Sequence, residues 1–443
     1  FKREKIYAYI SDGGVQEEIS QGAGRIAGHL GLDNLIMFFD ANEIQLSTET
    51  SEVISEDTAM KYRAWNWNVI EIDGNDCEQI RKALKEANEE TARPTLIIGH
   101  TVMGKGARKA DNTSYERDCK THGAPLGSDA YTNTVKNLGG DPENPFVIRP
   151  EVAELYENRR AELNEIVGKL RQEEKSWAES NPEKAAQLKD WLSNKLPNIP
   201  WDSLKQKPNS PTRNGSSACL SLLSEYVPNM IVSSADLCNS DKTDGFLKHT
   251  TVITRTNFAG GFFQAGVSEL TMACVCIGMT LHGGIITAMG TFFVFSDYMK
   301  PAIRMAALME LPVKFVWTHD AFRVGEDGPT HEPVEQEAQI RLMEKLKNHS
   351  GLDSVRVFRP CDVHATTKCW QMAMENFSTP TALIFSRQNV NDLPENTNYD
   401  GVKFGAYEVV AEENPDVILV ASGSEVSTLA ETATMLKEDG IKA

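Results

Sequence analysis

Apolar residues fall along this chain in short unbroken runs, and between the runs they return every third or fourth position. Such runs read as strands covered on both faces, and the intervening period reads as crossover helices. The alternation therefore predicts an α/β protein with parallel sheets flanked by helices. In the first section strands are expected at Ile6–Ile10, Asn34–Asp40, Asn68–Ile72 and Thr95–His100, with helices over Gln16–His29 and Cys77–Ala87. The texture then changes. Glu151 to Leu192 is helical and charge-rich, interrupted at Asn181-Pro182, and Pro197, Pro200, Pro208 and Pro211 follow in quick succession, as in a linker. A second α/β section begins near Thr212. Its strands are expected at Met230–Ser233, Thr251–Thr254, Gly284–Gly290, Val313–Thr318, Ser354–Phe358 and Thr381–Phe385. A third section opens with a strand at Asp416–Ser422 and a helix at Glu425–Asp439, and Ile441 begins another strand. A buried strand within five residues of Phe1, and a strand just opening at Ala443, lead us to expect a chain cut at both ends.

Length and charge narrow this picture. A chain of 443 residues exceeds one ordinary core, so several domains are expected. Lys and Arg total 45 against 63 Asp and Glu, a net charge of −18 with no concentrated basic patch, which argues against a nucleic-acid partner. An anionic substrate would then need a few placed cations to hold it. The most apolar stretch, Met272 to Phe295, is broken by His282-Gly283-Gly284 and reads as a buried helix followed by a buried strand, not a membrane span. Eight scattered cysteines make no CxxC pair and no zinc spacing, which suggests a reducing compartment and a cytoplasmic protein.

Two segments carry candidate chemistry. Ser11-Asp12-Gly13-Gly14 follows a strand and opens a helix, where small residues let backbone N–H groups approach an anion. Asn42 ends the next strand, in Asp40-Ala41-Asn42-Glu43-Ile44. A strand–helix–strand crossover sets the two strand ends side by side, so Asp12 and Asn42 could share one Mg²⁺ with phosphate oxygens. Either segment alone reads equally as a turn. In the second, Glu269 lies in Gly266-Val267-Ser268-Glu269-Leu270, within an apolar helical stretch. A buried carboxyl there would stay protonated near neutrality, while a surface position or a cation partner is the plainer reading. Downstream, Phe292, Phe295 and Tyr298 recur by three, either as core or as a platform for a flat ring.

Three further segments sharpen the reading. They are Thr318-His319-Asp320-Ala321-Phe322-Arg323-Val324-Gly325-Glu326-Asp327-Gly328-Pro329-Thr330-His331-Glu332-Pro333, Thr121-His122-Gly123-Ala124-Pro125-Leu126, and Ser386-Arg387-Gln388-Asn389. Together with the Asp12 and Asn42 pair they resemble, in order and over essentially the whole chain, the transketolases, which are thiamine diphosphate enzymes. Ser11 departs from the family's usual glycine, and Ser268 and Leu270 depart beside Glu269. The resemblance implies a diphosphate-binding domain at 1–150 that lacks its N-terminal part, a helical linker at 151–211, a pyrimidine-binding domain at 212–395 and the start of a C-terminal α/β domain at 396–443.

By the same resemblance, Asp12, Asn42 and the Ile44 carbonyl match the ligands of Mg²⁺ (Ca²⁺ or Mn²⁺ also fitting), and Gly13 a diphosphate contact. Asp236 matches a cofactor contact, and Val267 the prop that bends the cofactor. Phe292, Phe295 and Tyr298 match the ring pocket. Glu269 matches the acid that hydrogen-bonds the aminopyrimidine and so promotes loss of the thiazolium C2 proton. Glu17 matches a carboxylate coupled to its counterpart across a dimer. His122, His319 and His331 match residues around the reacting carbons, where imidazoles can shuttle protons near pH 7. Asp327 matches the reader of the donor hydroxyl, and Arg213, Ser240 and Arg387, with His319, a phosphate clamp.

The implied activity is transfer of a two-carbon ketol unit in the pentose phosphate pathway. It would pass through a C2 carbanion and enamine, from a ketose such as xylulose 5-phosphate to ribose 5-phosphate or erythrose 4-phosphate. The implied form is a homodimer with active sites at the subunit interface. A dihydroxyacetone synthase, a deoxyxylulose-phosphate synthase, a silent cofactor-binding subunit and a scaffold are the competing readings.

Overall fold

The computed structural model describes residues 4–321, 323–325 and 327–443. Phe1 to Arg3, and Phe322 and Glu326 of the long motif, lie outside the described residues. The chain forms two compact units, Phe1–Pro182 and Glu183–Ala443.

In the first unit, β1 (Ile6–Ser11), α1 (Asp12–Gln16), α2 (Glu18–Leu30), β2 (Leu35–Ala41), α3 (Thr58–Ala64), β3 (Asn68–Asp73), α4 (Cys77–Glu89) and β4 (Thr95–His100) make a parallel sheet of order β1-β2-β4-β3. Alternation on β4 divides the core. Leu96 and Ile98 pack with Val15, Phe39, Tyr62 and Trp67, while Ile97 packs with Ile36, Ile72, Ala83 and Ala87 on the other face. Two helices follow, α5 (Ser128–Asn137) and α6 (Pro150–Ser180), the latter ending at Asn181 as the Asn-Pro pair predicts.

Two expectations fail here. β1 is an edge strand with Tyr7 and Tyr9 exposed, not a buried one, because only one side of it is paired in the described sheet. The single helix expected over Gln16–His29 is two helices, broken at Glu17, whose ψ of 131° is extended. Side chains meet the carbonyls the break frees: Ser20 Oγ donates to Gly14 O and Glu17 O, and Gln21 Nε2 to Gln16 O.

The second unit continues from α7 (Pro182–Leu192), which straddles the boundary, through α8 (Thr212–Tyr226), β5 (Met230–Ser234), α9 (Cys238–Asp241), β6 (Phe262–Gln264), α10 (Glu269–His282), β7 (Ile286–Phe292), α11 (Ser296–Leu308), β8 (Lys314–Thr318), α12 (Gln336–Lys345), β9 (Arg356–Phe358), α13 (Val363–Glu375), β10 (Thr381–Phe385) and α14 (Val426–Glu438). Its six-stranded sheet has the order β6-β5-β7-β8-β10-β9, and every pairing is parallel. The apolar stretch forms a helix, two positive-φ glycines (Gly283 and Gly284) and a strand, as its break predicts. Among the described residues no helix is long and apolar enough to cross a membrane. All eight cysteines are free.

Two strand expectations are corrected. Thr251–Thr254 makes only isolated bridges, through Val252 and Thr254, and the strand on that edge is Phe262–Gln264. Asp416–Ser422 forms no strand. Asp416 and Val417 donate to Lys442 O, but no ladder follows, and Ile418 and Val420 remain exposed.

Lys314, first residue of β8, is fully buried, with Nζ donating to the carbonyls of Pro312 and Asn376 and lying 5.7 Å from the Phe377 ring. Burial pushes its pKa down from 10.5 to about 7. The unfolded chain therefore binds a proton that the folded chain does not between those values, and stability rises with pH across that window. Unfolding free energy should climb from pH 7 to 9.5 by on the order of 3 kcal/mol more in wild type than in Lys314→Met. Parallel urea-unfolding profiles for the two proteins would contradict this.

Candidate active site

In the first unit the site begins where β1 and β2 end side by side, with Ser11 opposite Asp40. Ser11 caps α1, its Oγ accepting from Gly14 N at 3.4 Å. Asp12 is 5% exposed, and its Oδ2 accepts from the amides of Asn42 (3.1 Å) and Glu43 (3.2 Å). Burial raises its pKa against those two hydrogen bonds, and the nearby Asp40 and Glu43 carboxylates raise it further. Asn42 is oriented by its neighbours: Oδ1 accepts from Ile44 N at 3.0 Å, and Nδ2 donates to Asp40 Oδ2 at 3.3 Å. Asp40 is itself held by Thr101 Oγ1.

Glu43, at φ 67°, turns the chain back so that buried Ile44 bridges Glu49. A Cβ on Gly13 would meet nothing within 4 Å, so the loop is open at that point. Glu17 is exposed at the helix break. His122, also exposed, closes a short turn by donating its N–H to Cys119 O.

These oxygens suit a hard divalent cation: one carboxylate, one amide oxygen with a lone pair to spare, and one backbone carbonyl. Among the described residues no group of three His, Cys, Asp or Glu side chains could hold a metal by itself. A cation here would need diphosphate oxygens to complete its shell. Replacing Asp12 with asparagine should weaken metal-dependent diphosphate binding by more than the roughly 10–100-fold typical of losing an outer-shell partner. Calorimetric titration checks this, and unchanged affinity would remove Asp12 from the site.

In the second unit the carboxyl ends of four neighbouring strands, β5, β7, β8 and β10, converge on one edge. This is where open parallel sheets bind ligands. Glu269 is not inside a helix as expected. It is the first residue of α10, because Gly266 at φ 76° and the non-helical Ser268 keep the preceding chain out of the helix. A carboxyl at that position is favoured by the helix dipole. It is 9% exposed, with Oε1 at 3.5 Å from Thr291 Oγ1. Val267 just before it is 79% exposed.

Phe292 ends β7, Phe295 lies in the 3₁₀ turn that follows, and Tyr298 in the first turn of α11. Their spacing by three stacks them as a ladder, with Phe292–Phe295 at 6.1 Å and 15°, and Phe295–Tyr298 at 6.0 Å and 25°. His331 packs against Phe295 at 5.3 Å, with Nδ1 2.9 Å from Thr330 Oγ1.

Two arginines close the other side. Thr212 N donates to Ser386 Oγ, and Ser386 N to Thr212 Oγ1 at 2.7 Å, tying the start of α8 to the end of β10. The next residues, Arg213 and Arg387, are thereby brought together. Arg213 Nη1 donates to the carbonyl of Ser240 at 2.8 Å, while its buried Nε has no partner. Burial and the Arg387 charge both lower the Arg213 pKa. Two repelling guanidiniums, one with an orphaned buried donor, have the chemistry to receive an anion. Gly325, at φ 102°, lies so close to Arg387 that a Cβ would fall 2.8 Å from Nη1. Asp327 is exposed nearby in sequence, and Asp236 is exposed after β5 at φ 62°.

His319 is 1% exposed and at φ 65°, its ring centroid 3.8 Å from that of Phe292 and Nδ1 2.9 Å from Thr318 Oγ1. Burial, then the charges of Arg213, Arg387 and His331, push its pKa down to about 3, which favours the neutral imidazole.

Sequence reasoning missed Asp241. Fully buried, it accepts from Ser234 Oγ at 2.6 Å and from the Thr243 amide and hydroxyl, fixing the loop that presents the Ser240 carbonyl to Arg213. Burial raises its pKa. Only its neighbour Ser240 was singled out, by the resemblance.

Comparison with known proteins decides the family. Three successive models match: the transketolase thiamine diphosphate binding domain at residues 2–197, the transketolase pyrimidine binding domain at 209–392, and the transketolase-like C-terminal domain at 405–443. The chain belongs to the transketolase family. A transketolase of Staphylococcus aureus is 38% identical over 442 residues, covering 98% of this chain and 64% of its own length. A transketolase structure from Leishmania mexicana superposes with a TM-score of 0.90 at 32% identity, covering 99% of this chain and 63% of that one. The transketolase of Pichia stipitis in complex with sedoheptulose 7-phosphate gives 0.89 at 31%, covering 100% and 64%. The chain thus spans under two thirds of the length of the curated relatives it matches. The transketolase fold, with parallel sheets flanked by helices, is shared throughout.

Proposed function

We propose that this chain acts as a transketolase, moving a two-carbon ketol unit from a ketose phosphate such as xylulose 5-phosphate to an aldose phosphate. The observation that carries the reading is the carboxyl edge of the second sheet, where buried Glu269, the aromatic ladder and the paired arginines come from neighbouring strands and the helices beside them. The matched thiamine diphosphate binding domain and the sugar phosphate named in the Pichia stipitis complex support it.

We assign residues 1–150 to the diphosphate end of the cofactor and 212–395 to its pyrimidine end. Asp12, Asn42 and the Ile44 carbonyl would hold Mg²⁺, and Gly13 would face the diphosphate. Phe292, Phe295, Tyr298 and Val267 would pack the rings, with Asp236 at their margin. Glu269 would keep a proton on the aminopyrimidine through a carboxyl hydrogen bond. Thiamine diphosphate, when bound, supplies the carbon nucleophile and the electron sink for breaking the ketose C2–C3 bond. Arg213 and Arg387, with the Ser240 loop, would grip the sugar's phosphate. The neutral His319 would orient a hydroxyl or phosphate oxygen as a hydrogen-bond partner without carrying charge. His122 and His331 would exchange protons at the reacting carbons, and Asp327 would read the donor hydroxyl. The active form would be a cytoplasmic homodimer in which Glu17 meets its counterpart.

A coupled assay with xylulose 5-phosphate and ribose 5-phosphate, with and without thiamine diphosphate and Mg²⁺, tests the reading. Cofactor-dependent turnover is expected. Preference for formaldehyde as acceptor would reassign the chain to a dihydroxyacetone synthase, and preference for pyruvate as donor to a deoxyxylulose-phosphate synthase. Cofactor binding without any turnover would make it a silent subunit.

A further inference from the structure

Arg359, the first residue after β9, is the hub of an ionic cluster on Asp320, the residue that follows His319. Its Nε and Nη2 both donate to Asp320 Oδ2, at 3.1 and 2.8 Å, and the two side chains are 7% and 1% exposed. Glu337 of α12 reaches Nη1 at 3.1 Å, and Glu425 reaches Nη2 at 2.7 Å. Ser424 Oγ adds a third donor to Asp320 Oδ2 at 2.8 Å, and Ser422 accepts from Nη1 through its carbonyl and hydroxyl. Between those serines Gly423, at φ 60°, lies flat on the arginine, where a Cβ would fall 2.5 Å from Cγ and Nε. The other carboxylate oxygen, Asp320 Oδ1, is buried and has no partner. The orientation of Asp320 is therefore set by Arg359 and Ser424.

Asp320 directly follows His319, a non-glycine residue in the left-handed region. Such strain persists only where surrounding contacts over-determine it. The ring lies on the Phe292 face with Nδ1 at Thr318 Oγ1, and its charged neighbours Arg213, Arg387 and His331 repel a protonated ring instead of gripping it. The firm anchor is one residue further on.

We propose that the Asp320–Arg359 pair, locked by Ser424, is the positioning device that holds His319 in its strained conformation against Phe292, and that Arg359 and Ser424 are positioning residues for the ketol-transfer site. What His319 does rests on the transketolase reading; how it is held does not. The segment carrying Ser422 to Glu425, more than a hundred residues after His319 in the chain, becomes part of the site's support.

Histidine ring NMR on the full chain, labelled at Cε1, tests this without relying on turnover. The His319 signal is assigned by its loss in His319→Asn. In wild type it should hold its neutral position down to pH 5. Arg359→Lys keeps the charge but loses the two-pronged grip. There the signal should shift, and its titration midpoint should rise by about 1 pH unit or more as the released ring meets water. In parallel, kcat for ketol transfer should drop roughly tenfold to a hundredfold with a smaller change in KM, as expected when a reacting geometry is loosened. Ser424→Ala, which removes one of three donors, should move both readouts in the same direction by less. A His319 signal and titration unchanged in both folded variants would overturn the proposal. If Arg359→Lys fails to fold, Ser424→Ala decides by the same criterion. Absence of turnover in wild type would count against the transketolase reading alone, because the ring signal reports the anchor directly.

Discussion

Glu269→Gln is expected to cut turnover by roughly 10²–10⁴-fold, the range for losing a positioned acid or base. The carboxyl is nearly buried at the first turn of α10 beside Thr291, so an isosteric amide fits the same space. Fold and cofactor affinity should change little, because the ring platform of Phe292, Phe295 and Tyr298 and the diphosphate loop around Asp12 are untouched. The separation matters: a drop in kcat with intact thiamine diphosphate binding identifies an acid acting on the bound cofactor. Near wild-type rates in the glutamine variant would remove Glu269 from the chemistry.

The second large effect concerns the arginine pair. Arg387→Ala should raise KM for phosphorylated sugars by roughly 10–100-fold, which corresponds to losing about 1.5–3 kcal/mol from a charged hydrogen-bonding group. KM for unphosphorylated ketoses should barely move. Arg213→Ala should act in the same sense. It also relieves the burial and repulsion that lower the Arg213 pKa, and leaves the Ser240 carbonyl without its donor. Part of its effect should therefore appear as altered stability, separable by melting curves without ligand. Equal losses on phosphorylated and unphosphorylated substrates would argue that these arginines shape the fold and do not grip phosphate.

Much of this architecture was legible because parallel strands covered on both faces leave dense apolar runs, as at Thr95–His100 and Thr381–Phe385. The failures have local causes. Phe262–Gln264 is a three-residue strand behind Gly260 and Gly261, too short to show a period, and β-branched Thr251–Thr254 next to it draws the eye. Ser11 to Gly14 suggests one helix start, but nothing in the pattern marks the extended backbone at Glu17.

At the site, single residues after strand ends could be found, since a crossover topology brings those ends to one edge. Long-range partnerships could not. Thr212 and Ser386 are 174 positions apart yet set the distance between two arginines. Asp320 and Arg359 are 39 positions apart, with no periodicity to connect them. The surroundings of His319 escaped for the same reason: a sequence shows a histidine, but not its burial near the charges of Arg213 and Arg387 that lower its pKa.

The paired arginines have a kinetic corollary. The described residues bring together one such pair, Arg213 and Arg387. If that pair grips phosphate as proposed, a donor and an acceptor that both carry phosphate would occupy it by turns, the first product leaving before the second sugar docks. Under the proposed function this imposes a substituted-enzyme cycle, with parallel double-reciprocal plots and an excess of either sugar slowing entry of the other. Inorganic phosphate, offering the same charge without a carbon to transfer, should compete with both.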